Sequence, residues 1–172
     1  MLEKKLTTNR PKANLKLTLI DWVLEAICLL SIVGIWLLTL VSYWELPEII
    51  PIHYNITGDV DSFGRKINIL SLPVISTIIY IALTILNKYP HTFNYSHNLT
   101  EENASAKYRI TTQIIRIIKL ISIFTFTWLV WETIQYVNEN TERVKFWYNF
   151  IPLVFFLIPI IYILLLITNK TK

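Results

Sequence analysis

Four long apolar runs, separated by stretches that hold most of the charge, constrain this chain more than any other feature. The runs cover about residues 17–44, 67–86, 114–137 and 146–168. Each approaches or exceeds the roughly 20 residues that cross a bilayer as a helix. Only 16% of the residues are charged, against about 25% in soluble domains. The pattern predicts an all-α membrane protein, a bundle of four transmembrane helices that forms one integral membrane domain over residues 1–172.

Basic residues predict how this bundle is oriented. Lysines and arginines cluster before the first run, between the second and third runs, and after the fourth. By the positive-inside rule, both termini and the loop 87–113 lie in the cytoplasm, and the segment 46–66 faces out. The first run is much longer than the ~7–15-residue core of a signal peptide, which favours an uncleaved span. The cations on the outer side are Arg65, Lys66, Arg143 and Lys145.

The segment 46–66, which we call the outer motif, is the candidate site. It is polar, although it lies between two long apolar runs. Its prolines restrict the backbone, and Gly58 permits a turn. Asn55 readily bonds nearby backbone, so we expect a compact turn after His53 and a structured outer loop between the first two helices. The candidate ligand-binding residues are His53, Asn55, Gly58, Asp59, Asp61 and Lys66.

The residue types in the outer motif leave its chemistry open. His53, Asp59 and Asp61 could converge to bind a hard or borderline cation, or to form a titrating cluster in which His53 changes charge most easily near neutral pH. Alternatively, the aspartates only shape a turn, and Lys66 marks the membrane boundary or pairs with one of them. The chain has no recognised metal-ligand spacing and no common hydrolase or phosphate-binding motif. We therefore predict no metal, cofactor or catalytic residue.

The loop before the third run is predicted to be helical. Thr100 can cap a helix whose first turn holds Glu101 and Glu102, where negative charge is favourable. This helix should continue straight into the third run. Arg109 and Arg116 fall on one of its faces, and we expect them to extend to the lipid headgroups. Recognition of an anionic lipid by this face is the alternative.

Acidic residues within the apolar runs are secondary candidates. Asp21 and Glu25 lie one helical turn apart near the cytoplasmic end of the first run. Acids in a membrane are costly and are therefore functional candidates. We expect these two to pair with Lys16 or to reach cytoplasmic water. Glu132 of the third run is expected near the outer surface, where it could meet the outer motif.

The outer motif resembles the bacterial membrane family called domain of unknown function 1648, which also forms the N-terminal part of SdpI-type immunity proteins. The stretch from Tyr89 to Tyr95 and the four-span layout also look like short, stand-alone members. The resemblance implies a protein of the bacterial cytoplasmic membrane, and it implies no mechanism. It points to His53, Asn55, Gly58, Asp61 and Lys66 as the core of the motif. The matching positions are Leu46, Pro47, Ile50, Pro51, His53, Tyr54, Asn55, Gly58, Asp61, Phe63, Gly64 and Lys66.

These observations favour a non-enzymatic binding, sensing or immunity-type protein that uses the outer motif. Its expected partners are the lipid bilayer, a peptide or small ligand at the outer face, and a protein in the cytoplasm. Nucleic acid is not expected, because no nucleic-acid motif is present. A small transporter or ion-coupled carrier is the alternative. An interfacial enzyme with His53 as a base oriented by Asp59 or Asp61 ranks last.

Overall fold

The computed structural model describes residues 15–55, 57, 59–93, 95 and 99–139. Within these residues, the chain forms three long helices: α1 (Leu19–Tyr43), α2 (Ser71–Leu86) and α3 (Glu101–Glu139). Each is long and apolar enough to cross a membrane, α2 together with the 3-10 helix Lys66–Leu70 that precedes it. The architecture is therefore that of a membrane protein. The predicted fourth helix over 146–168 lies outside the described residues, so the four-helix bundle stays a prediction.

A capping box begins α1. The Thr18 hydroxyl accepts a hydrogen bond from the backbone N–H of Asp21 (3.3 Å), and the Asp21 carboxylate accepts one from the backbone N–H of Thr18 (2.8 Å). These bonds satisfy groups that the first turn of a helix leaves unpaired. Many large apolar side chains of α1 remain exposed, among them Leu19 at 80% and Val41 at 70%. Lipid would cover such a surface in a membrane.

The predicted continuation of the loop helix into the third run is confirmed. The backbone N–H of Asn103 donates to the Thr100 hydroxyl (3.4 Å), while the Asn103 side chain accepts from the backbone N–H of Thr100 (3.0 Å). From this cap, α3 runs for 39 residues, roughly 58 Å at 1.5 Å per residue. This length exceeds a hydrocarbon core of about 30 Å. One end of α3 therefore extends beyond the span.

The three helices run alternately between two ends of the bundle and pack around two small apolar clusters. Ile35 of α1 and Val130 of α3 lie in the first cluster, together with Leu46 and Ile50 of the outer motif. The second cluster consists of the buried residues Cys28, Ile32 and Ile123. The first cluster fixes the outer motif to one end of the bundle, which we call the hairpin end.

A β-hairpin occupies the hairpin end, where the sequence predicted only a loop with a compact turn. Strand β1 (Ile49–Tyr54) pairs antiparallel with strand β2 (Val60–Arg65). The β-branched and aromatic residues of these segments suit a half-buried strand pair. The sequence interpretation missed the hairpin because the segment is short and its alternation is irregular. Burial of Ile50 and Pro51 packs β1 against the helices.

Candidate functional site

Two irregularities in the strand pairing flank His53. His53 lies opposite Ser62, whereas Pro51 lies opposite Phe63 and Tyr54 opposite Val60. One residue is thus skipped on β1 before His53, and Asp61 is skipped on β2 after it. Bulges of this kind turn side chains away from the regular alternation of a strand. They account for the meeting of His53 and Asp61, which do not oppose each other in the ladder.

His53 and Asp61 form the central polar contact of the hairpin. Nδ1 of His53 lies 2.5 Å from Oδ1 of Asp61. The ionised carboxylate can only accept, so Nδ1 carries the proton, and in the neutral form of the ring Nε2 is then the acceptor. The two side chains are 67% and 45% exposed. A ligand can therefore reach a histidine whose tautomer is already set.

Asn55 organises the turn between the strands, as the sequence predicted. Its side-chain oxygen accepts hydrogen bonds from the backbone N–H groups of Thr57 and Asp59, both at 2.9 Å. The backbone N–H of Asn55 donates to the carbonyl of Asp59 at 2.9 Å. The Thr57 hydroxyl also lies 2.7 Å from the Asp59 carboxylate. Asn55 and Asp59 therefore shape the turn, and Gly58 lies outside the described residues.

The convergence of His53, Asp59 and Asp61 on a cation, which the sequence left open as one alternative, does not occur among the described residues. Among them, no group of three or more His, Cys, Asp or Glu side chains could hold a metal ion. The physical reason is the turn itself. Asp59 faces Thr57, whereas Asp61 faces His53 across the strands.

Lys66 lies at the base of the hairpin, apart from the His53–Asp61 pair. Its ammonium group is 3.1 Å from the Glu48 carboxylate, 3.4 Å from the carbonyl oxygen of Leu46, and 5.4 Å from the centre of the Tyr43 ring. Pairing of Lys66 with Asp59 or Asp61 was one of two alternatives from the sequence, and the observed acidic partner is Glu48. Lys66 thus joins the end of α1 to the start of the 3-10 helix. It holds the hairpin in position and does not contact the pair.

Gly64 permits the close approach of two neighbouring side chains within the hairpin. A Cβ at this position would lie 2.8 Å from Nδ2 of Asn68 and 2.9 Å from Cδ1 of Ile52. Such distances are shorter than van der Waals contact, so a neighbour would have to move. The glycine therefore lets Ile52 of β1 cross over β2.

Tyr54 connects the hairpin to α3. Its ring packs edge-on against Tyr136, with centroids 6.3 Å apart. Burial raises the pKa of Tyr54 above its ordinary value, and the nearby Glu132 contributes to the rise. Of the two placements that the sequence left open for Glu132, beside the outer motif or merely at the interface, its influence on Tyr54 favours the first. Because α3 supplies these neighbours, the hairpin and the third helix form one site.

A cavity of about 290 Å³ lies beneath the hairpin, between β1, the start of α2 and α3. We call it the hairpin cavity. Its lining is mainly apolar, and the polar lining residues include His53, Asn68, Ser71 and Thr133. Among the candidate site residues that the structure describes, only His53 lines the cavity. The apolar lining residues are Ile50, Pro51, Ile52, Ile69, Leu72 and Leu129.

A second charged group lies at the opposite end of the bundle, and the sequence interpretation missed it. Arg116 Nη1 is 3.3 Å from Asp21 Oδ1, and Arg116 Nε is 3.1 Å from Glu25 Oε1. Lys119 Nζ is 2.5 Å from Glu25 Oε2. We call these four residues the ion cluster. It joins α1 to α3 across more than ninety positions of sequence.

The ion cluster corrects two expectations. Arg116 does not extend to the headgroups, since its side chain is 6% exposed, and Lys119 is fully buried. Asp21 and Glu25 pair with these α3 cations, where pairing with Lys16 or access to cytoplasmic water was expected. Lys119 also donates to the Thr84 hydroxyl of α2 at 3.0 Å. The sequence contained a signal for this pairing. Asp21 and Glu25 are four residues apart on α1, and Arg116 and Lys119 are three apart on α3, so each pair lies on one face of its helix.

Comparison with known proteins places the outer motif in a family. Residues 30–77 match the family model described as Domain of unknown function (DUF1648). The resemblance of the outer motif to this family, found in the sequence, is confirmed over these residues. The matched range includes the whole hairpin and the adjoining parts of α1 and α2. It excludes the ion cluster.

The chain is also similar to an uncharacterized protein of Archaeoglobus fulgidus. The two are 36% identical over 74 residues, which is 38% of this chain and 40% of the archaeal protein. The chain thus matches about two fifths of that relative's length. No solved structure matches. Neither comparison supports the SdpI-type relationship, and the relative is archaeal, so the bacterial assignment stays a prediction.

Proposed function

We propose that this protein is a non-enzymatic binding, sensing or immunity-type membrane protein whose hairpin end takes a ligand. The hairpin cavity is the observation that carries this proposal. It combines a volume of about 290 Å³ with an apolar wall and one accessible histidine. Binding sites typically pair an apolar lining with a few well-placed polar groups.

The lining defines the kind of ligand. Ile50, Leu72 and Leu129 would contact an apolar group, while Nε2 of His53 would accept a hydrogen bond from a donor beside it. The exposed side chains of Ile52 (47%) and Phe63 (55%) extend the apolar surface outside the cavity. A hydrophobic peptide segment, or a small amphipathic molecule with an N–H or O–H group, matches these features.

The proposed location is the outer face of a bacterial cytoplasmic membrane, with both termini inside. The support is the excess of basic residues on the side opposite the outer motif. Exposed Trp44 (82%) and Trp131 (42%) at the hairpin end suit a membrane–water interface. A ligand would then approach from outside the cell, and the cytoplasmic loop would be free to contact a protein partner.

Transport is the weaker candidate. The region between the ion cluster and the hairpin is filled by the apolar clusters around Ile35 and Ile123. A carrier needs ionisable or polar groups along its path. Within the described residues, the packed region between the two ends consists mainly of apolar side chains, which favours a binding role at one end.

The test uses a strain that lacks the gene and a panel of membrane-active peptides. The strain is complemented with wild type, with His53→Ala, or with Ser71→Trp, which would fill the hairpin cavity. We expect wild type to protect against at least one peptide, because the peptide is bound at the hairpin. Both variants should reduce protection to the level of the empty vector.

Val41→Trp is the matched control, because it adds the same indole to a side chain of α1 that is 70% exposed. It should protect as wild type does. Membrane levels of all variants are measured by immunoblot. Full protection by His53→Ala and Ser71→Trp at wild-type level would contradict the proposal, as would equal loss in Val41→Trp.

A further inference from the structure

The ion-cluster end contains a second, larger cavity. It has a volume of about 630 Å³ and lies between the start of α1, the end of α2 and the first half of α3. We call it the basic cavity. Arg116 and the two acids of the ion cluster lie in its wall. The other charged lining residues are Lys16, Lys88 and Arg109.

The charges of this cavity do not cancel. Asp21 and Glu25 are already held by Arg116 and Lys119. Lys16, Lys88 and Arg109 are exposed and take part in none of the ion pairs formed among the described residues. The rim is therefore positive, while the acids behind it are neutralised. Such an arrangement attracts an anion.

Asn87 gives an independent indication of a ligand. Its side-chain oxygen and nitrogen are both buried, and neither has a hydrogen-bond partner within the described part of the chain. Buried polar atoms are nearly always paired, so an unpaired amide needs an explanation. Asn87 lines the basic cavity. Its N–H₂ group could donate to an anionic oxygen held there.

The surroundings of the cavity favour a lipid over a free anion. Trp22, in the cavity wall, is 62% exposed, and the neighbouring Leu17 and Leu19 are 42% and 80% exposed. These side chains lie at one end of helices that are apolar enough to span a membrane. A molecule with a phosphate for the cations and acyl chains for the apolar surface would satisfy both.

We propose that the basic cavity binds the phosphate-bearing headgroup of an anionic phospholipid. Arg109 and Lys88 contact the phosphate, and Asn87 donates a hydrogen bond to the headgroup. Arg116 forms the floor of the cavity, where its acidic partners fix its position. The acyl chains lie along the exposed apolar face of α1. This site is separate from the hairpin cavity and does not depend on the function proposed for it.

The test measures lipid retained by the purified full chain. The protein is exchanged into nanodiscs of phosphatidylglycerol and phosphatidylcholine, and retained lipid is identified by native mass spectrometry after transfer to detergent. Wild type should retain phosphatidylglycerol selectively. Arg109→Gln and Lys88→Gln should each lower its occupancy about fivefold. Asn87→Ala should also lower it, although the charge is unchanged.

Lys107→Gln is the matched control, because it removes a charge from α3 at a residue that does not line the cavity. It should retain the lipid as wild type does. Equal loss in this control would overturn the proposal, since general surface charge would then account for binding. Unchanged retention in Arg109→Gln and Lys88→Gln would also overturn it. Full displacement of the lipid by inorganic phosphate alone would identify a free-anion site instead.

Discussion

The two ends of the bundle place charged side chains in opposite environments. At the hairpin end, His53 and Asp61 form a pair whose side chains are 67% and 45% exposed. At the other end, Arg116 and Lys119 hold their acidic partners with side chains that are 6% and 0% exposed. The family match covers the first end and excludes the second.

This difference shows that charged side chains have different roles at the two ends of one small bundle. An exposed pair contributes little to stability, at most about 1 kcal/mol, but it stays accessible to a ligand. A buried pair is costly to form, and removing one partner leaves an uncompensated charge. The ion cluster therefore ties α1 to α3, whereas the hairpin pair stays exposed at the proposed binding surface.

Breaking the ion cluster should have the largest effect on stability. Lys119→Met leaves the Glu25 carboxylate with Arg116 alone and should destabilise the protein by about 3–5 kcal/mol. The measurement is unfolding of the detergent-solubilised protein followed by tryptophan fluorescence. The double variant Lys119→Met with Glu25→Gln should recover much of the loss. A single variant as stable as wild type would show that the cluster does not hold α1 to α3.

Adding a methyl group at Gly64, inside the hairpin, should have the next largest effect on stability. Gly64→Ala forces Ile52 or Asn68 to move and should cost about 1–3 kcal/mol. Gly34→Ala is the matched control, because a Cβ there meets nothing within 4 Å. That helical substitution should be neutral or stabilising by up to about 1 kcal/mol. Thermal unfolding compares the two, and equal destabilisation would contradict the close packing at Gly64.

Disrupting the exposed pair should separate binding from stability. Asp61→Asn leaves the His53 tautomer undetermined, yet its cost to stability should stay below about 1 kcal/mol. Peptide protection should nevertheless fall, because Nε2 is no longer fixed as an acceptor. The check is protection and unfolding measured on the same variant. A large loss of stability here would remove the distinction between the two ends.

The smallest effect concerns Tyr54 and appears only at high pH. Burial raises the pKa of Tyr54 in the folded protein. Its contribution to stability is full below the ordinary tyrosine pKa of about 10, and it is lost as pH rises through the higher folded value. The Tyr54→Phe variant should therefore lose less stability than wild type as the pH rises above about 10. Identical pH profiles of unfolding for wild type and variant would contradict the burial of this hydroxyl.

Much of the fold could be predicted from residues that are close together in the sequence. The first three apolar runs became helices, and the cap at Thr100 with its uninterrupted helix followed from residues close in sequence. The turn at Asn55 was also predictable, because its side chain bonds backbone only a few positions away. Propensity and capping act over such short distances.

The features that the sequence did not predict depend on contacts between distant segments of the chain. The pairing of β1 with β2 depends on register, and the bulges beside His53 decide which side chains meet. The sequence therefore singled out the segment of the hairpin, but it left open which aspartate meets His53. The ion cluster joins residues from α1, α2 and α3. Its charges were visible in the sequence, whereas the packing that brings them together was not.

The most direct test of the account is the accessibility of the two ends in intact cells. Cys28 is buried and is replaced by serine. Thr57→Cys and Lys88→Cys are then introduced separately and labelled with a membrane-impermeant maleimide. If the hairpin end faces out, we expect labelling at position 57 in intact cells, and at position 88 only after permeabilisation. Labelling of position 88 in intact cells, with position 57 protected, would contradict a hairpin that receives its ligand from outside.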